Sequence, residues 1–171
     1  GSKASSYDDI PWVHALKMFI QQLHANKKKL IGVCFGHQIV AEALGGSVRK
    51  SPKGWHVGVD SIILKKEAFQ YGSKGDEYNL IFSHQDEVIT LPNNAKLIAG
   101  SITCPNVMFV IENHIMCTQG HIELDKKFAK MIYDARKEQI GNPKYQNACN
   151  TLNTKTDEHE VTAGLLKFLK N

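Results

Sequence analysis

The stretch LIGVCFGHQIVAEALGG, residues 30–46, constrains the fold more than any other part of the chain. An apolar run ends at Cys34, a glycine stands two positions away on either side, and a helical pattern follows at once. We interpret this as a buried strand that turns sharply into a helix, which Gly45 and Gly46 then end. Such a turn exposes its corner residue at the carboxyl end of a sheet. The pattern therefore predicts an α/β fold with Cys34 at a sheet edge.

Helical and strand-like patterns alternate along the rest of the chain. Apolar residues recur at helical spacing within residues 6–29, where Asp8 or Asp9 is a suitable cap and Pro11 suits an early helical position. Short β-branched or aromatic runs predict five further strands, at residues 56–64, 78–82, 96–101, 108–112 and 115–118. We interpret the whole chain, 1–171, as one α/β domain with a mixed sheet.

The last third of the chain has three predicted parts. The run DKKFAKMIYDARKEQI, residues 125–140, has the apolar spacing of a helix. Residues 141–157 are polar and weakly patterned, so we predict a polar loop or surface excursion there. An amphipathic helix is predicted at 158–170.

The order of these elements is unusual for a doubly wound sheet. Such a sheet normally opens with strand–helix–strand units, whereas here a helix comes first and one strand–helix unit, at Cys34, is visible. We therefore expect either a small, irregular fold or a chain that lacks its N-terminal portion. Gly1 and Ser2 are either a tag remnant or the native end of a preceding strand, and these two alternatives stay open.

Composition argues against several classes of partner. The 171 residues are 42% hydrophobic and 22% charged, which suits one domain with a sizeable core. The formal charge of +4 comes from scattered lysines, so we predict no nucleic-acid partner. No apolar stretch approaches the roughly 20 residues that cross a bilayer, so we predict no membrane partner. Four cysteines without close pairing favour a reducing, cytoplasmic setting.

Cys34 has three possible roles: a buried apolar side chain, a metal ligand or a nucleophile. We expect Gly32 and Gly36 to remove Cβ atoms where neighbouring chain passes closely. The start of a helix stabilises a thiolate, and the backbone N–H of Phe35 would point to where an oxyanion forms. This arrangement suits a nucleophile, provided that a base lies nearby.

A metal site is a weaker interpretation of the same residues. Cys34 with His37, and Cys117 with His121, could each offer two ligands. Neither pairing has the spacing of a structural zinc site, and a metal would leave the glycines unexplained. We therefore predict no metal.

Two of the eight histidines have a context that suits a base near Cys34. Others are set aside because they are solvated, isolated or too near the cysteine: His14, His24, His37, His56 and His159. His121 is preferred, because it follows a strand-like run and Glu123, two residues on, can orient its imidazole. His84 with Asp86 could instead form a loop clamp near the site, and a structural role for His84 is as well supported as a catalytic one.

These motifs resemble those of the class I (triad) glutamine amidotransferases. GVCFGHQ resembles their G-x-C-x-G-x-Q nucleophile elbow, and TQGHIE resembles their Q-x-H-P-E motif with Ile122 in place of proline. SHQDEV resembles the S-H-x-D-x-V segment of the GMP synthase-like branch. The three motifs span residues 32–123, and none covers the chain beyond about 140. The resemblance implies a flavodoxin-like three-layer sandwich with a mixed, mostly parallel sheet, here without its N-terminal strand–helix units.

The resemblance also implies a reaction, the hydrolysis of a γ-glutamyl amide. Cys34 would attack the amide and form a γ-glutamyl thioester, while His121 would carry the thiol proton to the departing ammonia. Glu123 would orient His121. Ile122 frees the backbone between these two side chains, and we expect activity to survive that change.

Further residues take roles through the same resemblance. The Phe35 N–H and Gly1, in the loop GSKASS, would hold the oxyanion. Gln38 would hold the amino-acid end of the substrate, and His84 is assigned to substrate binding beside it. The family chemistry implies no cofactor.

Three hypotheses for function stay open. The leading one is a stand-alone glutamine amidotransferase-like hydrolase, because the sequence contains no P-loop or synthetase domain; ammonia would then be free unless it passes to a separate ammonia-accepting subunit. The second is a γ-glutamyl peptidase acting on glutathione-like conjugates, since the same triad would serve. The third is a non-catalytic binding or regulatory module that keeps the fold. The first two imply a small-molecule partner, glutamine or a γ-glutamyl peptide.

Overall fold

The computed structural model describes residues 1–170, and Asn171, the last residue of the predicted domain, lies outside the described residues. The helices are α1 (Pro11–Ala25), α2 (Phe35–Ala43), α3 (Lys126–Ala135), α4 (Lys137–Ile140), α5 (Asn142–Thr151) and α6 (Glu158–Lys170). The strands are β1 (Leu30–Val33), β2 (Ser47–Lys50), β3 (His56–Leu64), β4 (Glu77–His84), β5 (Asp86–Thr90), β6 (Ala95–Gly100), β7 (Met108–Ile111) and β8 (Ile115–Thr118). A 3₁₀ helix, Lys66–Tyr71, lies between β3 and β4.

Six strands form one mixed sheet in the order β1-β8-β7-β6-β3-β4, and β2 pairs with β5 in a separate ribbon. The predicted α/β class and mixed sheet are confirmed. The predominance of parallel strands is not found among the described residues, where β1–β8 is the one parallel pair and the other pairs are antiparallel. The physical reason is the connections, since β6, β7 and β8 follow each other through loops too short for a parallel crossover.

Helices cover both faces of the sheet and make three layers. Side chains alternate across a strand, so β7 sends Phe109 towards α1 and α2 and sends Val110 towards α6. Every residue of β7 and β8 is buried, as expected for central strands with helices on both sides. None of the helices described within residues 1–170 has the length and apolarity to cross a membrane.

Two local sequence predictions need correction. Pro11 lies in the first turn of α1 as predicted, but neither Asp8 nor Asp9 caps the helix: the residue before it is Ile10, and the Asp8 carboxylate accepts the Ser5 N–H at 2.8 Å. The short strands β2 and β5 were not predicted. They carry charged residues and owe their order to pairing with each other, which a local pattern does not reveal.

The prediction of a polar loop at 141–157 is wrong, because α5 occupies most of that segment. α5 buries Tyr145 and Ala148 against β3 and neighbouring helices, and the Val59 N–H donates to Thr151 Oγ1 at 2.9 Å. The helix buries only a narrow stripe, so its sequence reads as polar. Its one clear signal is Pro143 in the first turn. α6 occupies the segment 158–170.

Substitution of Gly58 by alanine tests the contact between α5 and β3. Gly58 has φ +100°, and a Cβ there would lie 3.0 Å from Ala148 Cα and collide with the Thr151 hydroxyl. We expect Gly58→Ala to lower the free energy of unfolding by about 2–4 kcal/mol, measured by urea denaturation. Gly75→Ala is the control, since its nearest contact would be 3.6 Å away. Equal denaturation midpoints for the two variants would contradict this packing.

Candidate functional site

Cys34 stands between β1 and α2 in a strained backbone conformation. Its φ of 52° and ψ of −105° are unfavourable for a residue with a side chain. Two backbone hydrogen bonds hold it there: the Cys34 N–H donates to the Thr118 carbonyl at 2.9 Å, and the Gln38 N–H donates to the Cys34 carbonyl at 3.1 Å. The side chain is buried. The predicted elbow is therefore present, with the thiol at the carboxyl end of β1.

The two glycines of the elbow have different roles. A Cβ on Gly32 would lie 2.7 Å from the Gly36 carbonyl oxygen and 2.9 Å from Cys117 Sγ, so β1 requires glycine at this point. A Cβ on Gly36 would meet no atom within 4 Å. The prediction of a close approach is confirmed for Gly32 and wrong for Gly36, whose backbone is instead what Gly32 approaches.

The parallel pairing of β1 with β8 brings His121 to Cys34. Gly32 is in register with Cys117, so the two strands end side by side. The chain after β8 then bridges to β4, where the His121 N–H donates to the Ile81 carbonyl at 2.8 Å. Residues distant in sequence thus meet at one sheet edge, as expected of neighbouring carboxyl ends.

The His121 ring is buried and fixed by Glu123. Its Nδ1 lies 2.6 Å from Glu123 Oε1, and the Ile122 N–H donates to Glu123 Oε2 at 3.0 Å. A proline at position 122 would have no N–H to offer, so isoleucine adds a contact that holds the carboxylate. Because Nδ1 donates to the carboxylate, Nε2 is free to act on the thiol side.

The electrostatics favour a charged His121. Burial lowers its pKa, but the Cys34 side chain and then the Glu123 carboxylate outweigh burial and raise the pKa of His121 to about 9. Partial burial raises the pKa of Glu123, yet its hydrogen bond with His121 dominates and lowers it. Within residues 1–170, the buried Nε2 atom has no hydrogen-bond partner, and the influence of Cys34 on the ring is seen in the raised pKa.

A cavity of about 590 Å³ opens above these side chains. Cys34, His121 and Glu123 all line it. So do the other residues predicted for the site: Gly1, Phe35, Gln38 and His84. Phe35 is the first residue of α2, so its N–H has no acceptor within the helix and remains available to a ligand.

Gln38 and His84 contact the protein scaffold as well as the cavity. Gln38 Nε2 donates to the Asp86 carbonyl at 2.8 Å and to Gln119 Oε1 at 3.0 Å. His84 Nδ1 lies 2.8 Å from the same Asp86 carbonyl. Burial, with the nearby charge of His56, lowers the pKa of His84 to about 3, so this ring is neutral. Their assignment to substrate binding stays a prediction.

Asp86 fastens the N-terminal loop, residues 1–7, at the cavity. Its carboxylate accepts hydrogen bonds from the hydroxyls of Ser5 and Tyr7, the latter at 3.1 Å. Gly1 lies in this loop and lines the cavity. The contacts of the Asp86 carboxylate with the loop thus support the interpretation of His84 and Asp86 as a loop clamp.

Sequence reasoning missed several cavity residues, among them Lys50, Trp55 and Arg136. The Arg136 guanidinium lies 5.4 Å from the centre of the Trp55 ring, and Nη1 donates to Ser83 Oγ at 3.4 Å. They come from the end of β2, a loop and the end of α3, so no local motif connects them. Among residues 1–170, no group of three or more His, Cys, Asp or Glu side chains is arranged to hold a metal ion.

Alanine substitutions at the two glycines test the elbow. We expect Gly32→Ala to displace Cys34 and to slow its alkylation by iodoacetamide at least tenfold, because the new Cβ overlaps backbone that cannot move aside. Gly36→Ala is the matched control. It should keep the alkylation rate and slightly stabilise α2, since alanine is a better helix former than glycine. The elbow geometry would be refuted if both variants reacted like the unchanged protein.

Comparison with known proteins places this chain in a family. The model of class I glutamine amidotransferases matches residues 5–134. Gamma-glutamyl peptidase 3 of Arabidopsis thaliana is 38% identical over 140 residues, which cover 78% of this chain and 56% of that protein. Gamma-glutamyl peptidase 2 of the same plant is 33% identical over 137 residues, 78% of this chain and 55% of that protein. The chain therefore spans about half the length of the curated relatives it matches.

A solved structure supports the fold. The glutamine amido transferase from Methylobacillus flagellatus superposes with a TM-score of 0.83 at 23% identity, over 99% of this chain and 74% of that one. The three-layer, flavodoxin-like class is thereby confirmed. With the family model matching most of the chain and a relative 38% identical over 78% of it, the chain belongs to the class I glutamine amidotransferase family.

Proposed function

We propose that this protein is a cysteine-nucleophile amidohydrolase that cleaves γ-glutamyl amide bonds through Cys34, His121 and Glu123. The observation that carries the proposal is the pairing of a buried imidazole with both a thiol and a carboxylate, which raises the pKa of His121 to about 9. A protonated His121 beside Cys34 stabilises the thiolate, the reactive form of a cysteine nucleophile. Membership of the class I glutamine amidotransferase family supports the same chemistry.

The reaction follows from these contacts. The Cys34 thiolate attacks the γ-glutamyl carbonyl, and the carbonyl electron pair moves onto oxygen, where the Phe35 N–H and the loop at Gly1 stabilise it. The C–N bond breaks as His121 gives its proton to the departing nitrogen. Water, with its proton taken by His121, then attacks the thioester and releases the γ-glutamyl acid and the thiolate. Glu123 keeps the ring oriented throughout.

Glutamine is the leading substrate, with Gln38 and His84 proposed at its amino-acid end. Ammonia would be released to solvent or to a separate ammonia-accepting subunit. A γ-glutamyl peptide is the second candidate substrate, and two observations support it. Relatives 33–38% identical carry the name gamma-glutamyl peptidase, and a cavity of about 590 Å³ suits a ligand larger than glutamine.

Product analysis separates these substrates. The full-length natural protein is incubated with glutamine and, separately, with γ-glutamylcysteinylglycine. Ammonia release indicates a glutaminase, and cysteinylglycine release indicates a peptidase. We expect Cys34→Ala to lower the active rate by at least about a thousandfold, because the covalent intermediate can no longer form.

Cys149→Ala is the matched control for that experiment. This cysteine is only partly buried and does not line the cavity, so its loss should leave the rate unchanged. If neither substrate gives a Cys34-dependent product, the non-catalytic alternative is the better description.

Substitution of Glu123 by glutamine tests the charge on His121. The carboxylate raises the pKa of His121 to about 9 together with Cys34, so its loss should move the imidazole titration to lower pH. The expected result is a lower midpoint in an NMR titration and slower iodoacetamide alkylation of Cys34 near pH 8. An unchanged titration midpoint would show that Glu123 does not raise the pKa of His121, which would contradict its proposed role.

The titration of His121 also makes the free energy of unfolding depend on pH. The folded-state pKa of His121 lies above its ordinary value of 6.5, so the folded protein binds the proton more tightly than the unfolded chain. This contribution to stability is complete below about pH 6.5 and is lost as pH rises through about 9. Glu123→Gln should flatten the pH dependence of the free energy of unfolding over that range.

A further inference from the structure

A second cavity, of about 210 Å³, lies next to the first, and Trp55 and His84 line both. Three hydrogen-bond distances connect it to the loop clamp. Asp60 Oδ2 lies 3.0 Å from His56 Nε2, and His56 Nδ1 lies 3.1 Å from His84 Nε2. His84 Nδ1 lies 2.8 Å from the Asp86 carbonyl. A continuous chain of contacts thus runs from Asp60 to the residue that fastens the N-terminal loop.

The protons of this chain can be assigned from its two ends. The Asp86 carbonyl can only accept, so His84 Nδ1 must carry a hydrogen. The Asp60 carboxylate can also only accept, so His56 Nε2 must carry one as well. The contact between the two rings needs a third hydrogen. Two neutral histidines supply two hydrogens in total, so all three contacts are hydrogen bonds at once only when one ring is an imidazolium.

The charge belongs on His56. That ring faces the Asp60 carboxylate, which also accepts a hydrogen bond from the Thr103 hydroxyl. Its face stacks on Phe82, with ring centres 4.3 Å apart and planes 10° apart, and an aromatic face attracts a cation. His84 is almost completely buried and makes no ion pair with a carboxylate within residues 1–170, and burial holds its pKa near 3. His56 therefore donates through both nitrogens.

Other charged groups near His56 do not replace Asp60. Glu87 is buried in the lining of the same cavity. Lys53 and Lys144 also line it, but their ammonium groups donate to the backbone carbonyls of Ile102 and Lys53, at 3.1 Å and 2.6 Å. Asp60 is the carboxylate in hydrogen-bond contact with the imidazole within residues 1–170.

We propose that His56, held as an imidazolium by Asp60, is a positioning residue that fixes the N-terminal loop at the reaction site through His84 and Asp86. Neither His56 nor Asp60 lines the first cavity, so both act through other residues. The imidazolium orients His84, His84 holds the Asp86 backbone, and the Asp86 side chain holds Ser5 and Tyr7. The role rests on the proposed function, because the loop matters for turnover only if this cavity hydrolyses γ-glutamyl compounds.

The proton count predicts a pH effect specific to Asp60. When a rise in pH removes one proton from His56, either Asp60 or His84 loses its hydrogen bond, and the loop loosens. With Asp60→Asn, a neutral His56 can donate to His84 and accept from the asparagine amide, so both contacts survive. The ratio of wild-type to Asp60→Asn kcat/KM should therefore fall as pH rises. His121 is common to both proteins, so its own titration cancels in that ratio.

The kinetic test uses three variants of the full-length protein with the γ-glutamyl substrate that it hydrolyses. We expect His56→Ala to lower kcat/KM about tenfold at neutral pH, the usual effect of losing a hydrogen bond to a charged group. The alkylation rate of Cys34 should not change, because its contacts with His121 are intact. His159→Ala is the control, since that side chain is 93% exposed. Asp60→Asn supplies the pH profile, which remains informative if His56→Ala does not fold.

A spectroscopic measurement separates this proposal from the proposed function. Imidazole ¹⁵N shifts at neutral pH should show two protonated nitrogens in His56 and a neutral, Nδ1-protonated His84, whether or not any γ-glutamyl compound is hydrolysed. A neutral His56 would overturn the proposal, as would equal kcat/KM for His56→Ala and His159→Ala or a pH-independent ratio of wild type to Asp60→Asn. A protonated His56 in a protein without hydrolase activity would refute the function and leave the hydrogen-bond assignment standing.

Discussion

The parallel pairing of β1 with β8 is the contact on which the candidate site depends. It sets the ends of the two strands side by side, and the hydrogen bond from the Cys34 N–H to the Thr118 carbonyl continues the pairing into the elbow. Cys34 can keep its unfavourable backbone conformation because that bond fixes its N–H and the first turn of α2 fixes its carbonyl. His121 then needs only a short further segment to reach the thiol.

Asp86 is the residue at which a second set of hydrogen bonds meets. Its carbonyl accepts from Gln38 and His84, and its carboxylate accepts from the N-terminal loop. One residue thus connects the elbow helix, the end of β4 and the N-terminal loop that lines the cavity. Because Gln38 and His84 are buried, breaking either of their hydrogen bonds would leave an unpaired polar group, which makes this part of the arrangement rigid.

Local sequence patterns predicted well wherever a segment buries a wide face or contains a motif. The strand at 56–64 and the strand at 115–118 have the bounds that the pattern indicated. Prediction failed for α5, whose buried stripe is narrow, and for β2 and β5, which are ordered by each other. It also failed for Arg136 and Trp55 in the cavity, because side chains brought together by tertiary contacts leave no spacing to recognise.

Two local patterns in the sequence indicated the chemistry of the candidate site: a glycine-flanked cysteine after an apolar run, and a histidine with a glutamate two residues on. Those signals are local, since Gly32 is needed where β1 closely approaches the Gly36 carbonyl, and an imidazole is oriented by a nearby carboxylate. Which other histidines lie beside a carboxylate depends on the tertiary structure. His56 looked isolated in the sequence, and it gains Asp60, Phe82 and His84 as neighbours because strands β3 and β4 pair and their side chains share one face.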